Sequence, residues 1–200
     1  MSARPPRRPN AERSAATRAA LIDSARRLFT ERGYGEVGTE EIVRAAQVTR
    51  GALYHHFADK RALFRAVHEQ VEEEMVSRIS GAMAGIEDPV ELLLAGGRAF
   101  LDLCEDPSWT RIPLIDAPSV LGWAEWREVD MRYGLGLVSA GLEGAMEAGA
   151  LQRRPVAPLA HMLLAGMGEL GLMIATAEDR AAVRREAEET LVGLIDGLRA

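Results

Sequence analysis

Apolar residues recur at intervals of three and four along most of this chain, and no stretch shows a convincing alternation of two. Ala16, Ala20, Leu21, Ala25, Leu28 and Phe29 share one face of a helix from Glu12 to Arg32, because residues three or four apart stack on a helix surface. Gly33 ends that helix, since a left-handed cap position favours glycine. "GTEEIVRAAQ" then offers Thr39 as an N-cap, with Glu40 and Glu41 in the first turn where the helix dipole favours carboxylates. A short second helix over 40–46 follows. Gln47 and Val48 lead to Thr49, which is placed to cap a third helix through about His56, with Phe57 as its hydrophobic exit. Helix, three-residue turn and helix can close Ile42, Val43, Ala46, Val48, Leu53 and Phe57 against the first helix. Arg50, Tyr54 and His55 are left facing out, so the pattern predicts a helix-turn-helix with a donor-rich outer face.

Further on, Leu63, Val67, Val71, Met75 and Ile79 lie four apart and predict a long fourth helix, with the acidic run Glu72 to Glu74 on its solvated side. "GIEDP" breaks the chain, and helices fit 89–105, 108–120, 123–148, 156–177 and 179–199. The expected fold class is all-α: an N-terminal three-helix helix-turn-helix domain over 12–58 and a larger C-terminal helical domain over 59–200. Ahead of them "MSARPPRRPN" has three prolines, three arginines and no apolar spacing, which makes residues 1–11 a disordered basic arm, either a solvated tail or a segment reaching DNA.

Charge sharpens this picture. The formal net charge is −6, yet residues 1–65 hold 13 Lys or Arg against 7 Asp or Glu, which leaves 11 against 23 for the rest. A basic first third on an acidic remainder points to a polyanion partner for one part of the chain only. The single cysteine excludes an internal disulfide framework. No apolar segment with a small-residue cleavage site follows Met1, so a cytoplasmic protein is expected.

The stretch "TRAALIDSARRLFTERGYGEVGTEEIVRAAQVTRGALYHHFADKRALFRAV", 51 residues, resembles the DNA-binding domain of the TetR/AcrR transcriptional regulators. The likeness rests on the ordered set of "F-x-x-x-G-Y", the Thr-led second helix, "V-T-R-G-A-L-Y-H-H-F" and the following Lys, and it thins out after about residue 80. It implies a homodimer whose paired heads bind a double-stranded DNA operator, and a C-terminal helical domain that dimerises and holds a small-molecule effector. It also implies phosphate contacts for Thr39, Tyr54, His55 and Lys60, with Thr49, Arg50 and Gly51 opening the recognition helix. The chemistry agrees. The Arg50 fork suits the O6 and N7 edge of guanine, Gly51 permits close approach of the helix N-terminus, and Tyr54 and Lys60 can reach phosphates. Of His55 and His56, one is expected beside Phe57 and the other, His55, on the DNA.

Other signals are weaker. "GMGELG", Gly166 to Gly171, has the letters of a dinucleotide fingerprint, which works only between a strand and a helix, and its flanks are Leu-, Met- and Ala-rich. Gly166, Gly168 and Gly171 instead suggest a helix approached closely by another. With Leu191 and Ile195 of the last helix they form the expected dimer interface. Pro158 to Ala177 is as long as a membrane span, but His161 and Glu169 within it favour burial between subunits, so no membrane partner is expected. Cys104 next to Glu105 and Asp106 is a poor thiolate. No catalytic set, metal site or cofactor site emerges, and an enzyme is not expected.

All three tryptophans, Trp109, Trp123 and Trp126, fall with Tyr133 within 25 residues, where Pro113 and Pro118 interrupt the helical pattern. They suit an ordinary aromatic core or a ligand cavity. The family likeness selects the cavity, with Phe100, Trp109, Ile112, Trp123, Trp126, Tyr133 and His161 as its expected lining. The resulting expectation is an effector-responsive DNA-binding regulator, most simply a repressor. The alternative is an architectural or partner-controlled DNA binder with a filled core and no small-molecule ligand.

Overall fold

The computed structural model describes residues 10–200, so the expected arm lies, up to residue 9, outside the described residues. The described chain is helical throughout. α1 spans Asn10–Arg32, α2 Thr39–Ala45, α3 Arg50–His56, α4 Lys60–Met83 and α5 Pro89–Leu103. They are followed by α6 Pro107–Thr110, a π-helical segment Arg111–Asp116, α7 Ala117–Leu121, α8 Trp123–Glu147, α9 Val156–Thr176 and α10 Arg180–Asp196. Among the described residues there is no β-strand. Leu151 and Arg199 form one isolated antiparallel bridge near the C-terminus. The chain divides into two compact units, one up to Val67 and one from His68 to Ala200, and the division falls within α4.

In the first unit α1, α2 and α3 pack on one another. Leu21, Ala25, Phe29, Ile42, Leu53 and Phe57 are buried between them, as the three-and-four spacing requires. Gly33 takes φ +84° and its N–H closes on the Phe29 carbonyl at 2.7 Å, a left-handed helix end. Two details depart from the sequence reading at α2. Gly38, not Thr39, occupies the N-cap position, and no side chain caps the helix there. Thr49 does cap α3, its hydroxyl accepting from the Ala52 N–H at 3.2 Å.

The second unit is built on α5, α8, α9 and α10. Its core joins Leu94, Leu101, Leu142, Ile174, Leu191 and Ile195. Arg98 of α5 pairs with Glu188 of α10, and Arg184 of α10 reaches Asp102 of α5 at 2.7 Å while also pairing with Glu188 on its own helix. The single helix expected over 108–120 is replaced by α6, the π-helical segment and α7. Pro113 has no N–H for the normal ladder, and a π-helical turn takes up the irregularity. Gly122 at φ +78° then turns the chain into α8, a conformation that only glycine adopts without strain. α9 is long and apolar enough to cross a membrane by length and composition, yet it packs on α8, α5 and α10.

Candidate nucleic-acid interface and ligand cavity

The expected DNA-facing residues lie on α2, on and just before α3, and at the start of α4. Thr49, Arg50, Gly51, Tyr54 and His55 are exposed on and around α3, while Thr39 and Lys60 are half-buried. His56 is half-buried beside the Phe57 ring, with centroids 6.4 Å apart, and its neighbour His55 points to solvent. Arg50 is held by two partners within the unit: the Glu40 carboxylate at 2.8 Å and the Tyr54 ring, whose centroid lies 5.5 Å from the guanidinium carbon. A Cβ at position 51 would meet only the Thr49 hydroxyl, at 3.9 Å. Nothing inside the chain therefore requires glycine there.

Lys60 has a different setting. Its ammonium donates to the carbonyls of Tyr34 and Val37 at 2.7 and 2.8 Å and lies 4.0 Å from the Tyr34 ring centroid. It thus ties the start of α4 to the α1–α2 loop and has one N–H left for another acceptor. Burial lowers its pKa. Glu40 as a partner of Arg50 was missed in the sequence, because the pair lies ten residues apart on different helices.

Within the second unit, α4, α5, the π-helical segment, α8 and α9 enclose a cavity of about 650 Å³. Of the residues expected to line it, Phe100, Trp123 and Trp126 do so. Trp123 is 69% exposed and lies tilted against Trp126, ring centroids 4.8 Å apart, and the Trp126 indole N–H donates to the Pro113 carbonyl at 2.8 Å. Trp109, Ile112, Tyr133 and His161 are outside the wall: Trp109 is buried under the Arg78 guanidinium and Ile112 is fully buried in the core. The tryptophan cluster therefore splits, two rings at the cavity and one in the packing beside it.

The three glycines of "GMGELG" occupy three environments on the continuous helix α9, so no strand-to-helix turn exists at this motif. Gly171 is pressed against Cys104 Sγ, Phe100 Cζ and Leu114 Cδ1, which a Cβ would meet at 2.9, 3.0 and 3.1 Å. Gly168 lines the cavity, and Gly166 is exposed, both with open space around a would-be Cβ. Leu191 and Ile195 point into the core of their own chain. The large apolar side chains that face outward on these helices are Met162, Met173 and Leu194.

The polar side of the cavity was not anticipated. Glu72, expected on a solvated face, is only 8% exposed and lines the cavity, as do Arg127, Asp130 and Glu169. Burial, aided by the charge of Asp130, pushes the Glu72 carboxyl up to about 8. Asp130 is raised by burial and held down in part by its ion pair with Arg127. Cys104 is pushed up to about 12 by burial and then by Glu72. Its thiol is therefore held protonated, and Glu105 and Asp106 are not the cause. The signal for Glu72 was present in the sequence. It sits four residues after His68, which is fully buried, on a stripe beside Val67 and Val71.

Residues 21–67 match the family profile described as bacterial regulatory proteins, tetR family, and residues 90–198 match the one described as tetracyclin repressor-like, C-terminal domain. The chain is similar to the TetC protein of transposon Tn10 from Escherichia coli, 32% identical over 120 residues that make up 60% of each protein. It thus spans less than two thirds of that relative's length. A crystal structure of a TetR-family transcriptional regulator from Pectobacterium atrosepticum superposes with a TM-score of 0.85 at 33% identity, covering 96% of this chain and 98% of that one. RolR in complex with resorcinol gives 0.69 at 25% identity, with 90% and 95% covered. With both parts of the chain accounted for, it belongs to the TetR family of DNA-binding transcriptional regulators.

Proposed function

We propose that this chain is a homodimeric repressor that leaves its operator when a small, mostly apolar molecule fills the cavity of the second unit. The observation that carries this reading is the cavity itself: about 650 Å³, walled largely by aliphatic and aromatic side chains with a few polar groups, which is the make-up of a small-molecule site. RolR, of similar fold, holds resorcinol. On the DNA side, Arg50 is the base-reading side chain and is presented by Glu40 and Tyr54. In this reading Thr39, Tyr54, His55 and the remaining N–H of Lys60 contact phosphates, Thr49 caps the start of the recognition helix, and Gly51 keeps that helix start open to the DNA backbone. Outward Met162, Met173 and Leu194 on α9 and α10 supply the apolar surface for a second copy.

α4 carries both Lys60 and the cavity residues Met75 and Ile79, so a ligand against those residues acts on the helix that anchors the α1–α2 loop. To shift the equilibrium the effector must bind the released state better than the DNA-bound state. The test starts from a duplex selected from a random pool by the full-length protein. Apolar small molecules are then titrated while tryptophan emission and DNA anisotropy are followed together. Molecules that perturb the emission of Trp126 are expected to release the duplex, because coupling between two sites is reciprocal. Ligands that occupy the cavity and leave DNA affinity unchanged would refute effector control.

A further inference from the structure

The cavity wall carries three carboxyls, Glu72 of α4, Asp130 of α8 and Glu169 of α9, against one guanidinium, Arg127 of α8. Arg127 is engaged by Asp130 in a close ion pair. Glu72 has no such partner. Among the described residues no hydrogen-bond donor reaches its carboxyl, and His68 Nδ1 stands 3.8 Å away. An ionised carboxylate held in apolar surroundings is strongly disfavoured, so Glu72 favours its neutral form there unless a positive charge comes to lie against it. The side chains around the same space are Met75, Ile79, Phe100, Leu137 and Trp126. Aromatic faces of this kind attract cations through the ring quadrupole, tryptophan most of all.

Resting on the effector reading above, we propose that the cavity selects a lipophilic organic cation, an amine or quaternary ammonium, whose charged head sits against Glu72 and whose apolar body fills the space between α4, α5, α8 and α9. An anionic ligand would face three carboxyls with the one guanidinium already engaged. A neutral apolar ligand would leave the Glu72 carboxyl without a partner. A neutral hydroxyl donor could satisfy Glu72, but it would not require the carboxyl to ionise. That last difference makes the ligand class measurable.

With its pKa near 8, Glu72 holds its proton at neutral pH, and a cation must displace that proton. The titratable and charged groups around it are His68 on its own helix, Asp130, Tyr133 and Arg127 on α8, Cys104 at the end of α5 and Glu169 on α9. Cys104, pushed up to about 12, stays protonated, and burial raises Tyr133 as well. Affinity for a cation should therefore climb with pH, by up to about tenfold per pH unit, and level off above about 8.

The experiment uses the full-length protein with benzyltrimethylammonium and its uncharged carbon isostere, neopentylbenzene, both followed by tryptophan emission and calorimetry between about pH 6 and 9. The expected result is a cation preference of about tenfold or more at pH 8.5 that shrinks toward pH 6 and disappears in Glu72→Gln. Should that variant not fold, the pH dependence of the preference in the unaltered protein decides. A preference that does not change with pH overturns the assignment to Glu72. Equal or tighter binding of the isostere overturns the cation while leaving the cavity reading intact. Binding of neither probe overturns both.

Discussion

At the scale of single residues, burial sets the chemistry of an acid on α4. Glu72 has an ordinary pKa of 4.5 and a folded value of about 8. Between those values the folded chain keeps a proton that the unfolded chain has released, so folding is favoured at the acidic end of the window and loses that contribution as pH rises through it. A tenfold change in proton affinity is equivalent to about 1.4 kcal/mol. Glu72→Gln, which cannot ionise, is expected to be more stable than the unaltered protein by about 2 kcal/mol or more near pH 9, and nearly equal to it near pH 5. Thermal melts at the two pH values check this; equal melting temperatures near pH 9 would show that Glu72 ionises there without cost. The same scale explains Arg50. Its exposed pair with Glu40 contributes little to folding, and under the proposed function its part is to orient the guanidinium toward a base edge.

At the scale of elements, α9 shows how one sequence motif divides once a helix is packed. Gly171 meets α5 and the π-helical segment with no room for a methyl group. Gly168 faces the cavity and Gly166 faces outward. Gly171→Leu is expected to destabilise the fold by about 1 to 3 kcal/mol through overpacking against Cys104, Phe100 and Leu114. Gly168→Leu is expected to leave the chain's own fold intact or slightly firmer, since glycine costs about 1 kcal/mol in a helix interior, while it fills part of the cavity and weakens ligand binding. Denaturant melts and ligand titrations of the two variants separate the effects. Equal destabilisation by both would contradict the distinct surroundings of the two glycines. The π-helical segment belongs to this scale too. Pro113 breaks the regular ladder, and its carbonyl is then used by the Trp126 indole at the cavity edge.

At the scale of the whole molecule, charge is distributed unevenly along the chain. The basic excess lies in residues 1–65 and the acidic excess in the remainder, so attraction to phosphate is concentrated on the part that contains the helix-turn-helix. DNA affinity is expected to drop by about a hundredfold or more between roughly 50 and 200 mM salt, because each neutralised phosphate releases counterions. Fluorescence anisotropy with one duplex across that range measures the slope, and a flat response would remove the polyanion reading. Three of the large exposed apolar side chains, Met162, Met173 and Leu194, lie on α9 and α10, and Met162 is 72% exposed in the single chain.

The helices and the helix-turn-helix were legible in the sequence, because the spacing of apolar residues follows from helix geometry and the caps follow from local hydrogen bonding. Gly33 and Thr49 act in the structure as their neighbours in sequence implied. Thr39 did not become the cap, because Gly38 beside it took the extended conformation that begins α2. The all-α class and the family likeness needed no coordinates. Tertiary structure alone decided what depends on distant segments meeting: which two of three tryptophans face a cavity, that Glu72 is buried against Asp130 from 58 positions further along, and that Arg50 rests on Glu40. Periodicity reports which face of a helix is covered, whereas the pKa of a carboxyl and the room beside a glycine are set by atoms from other helices, whose arrival no local pattern encodes.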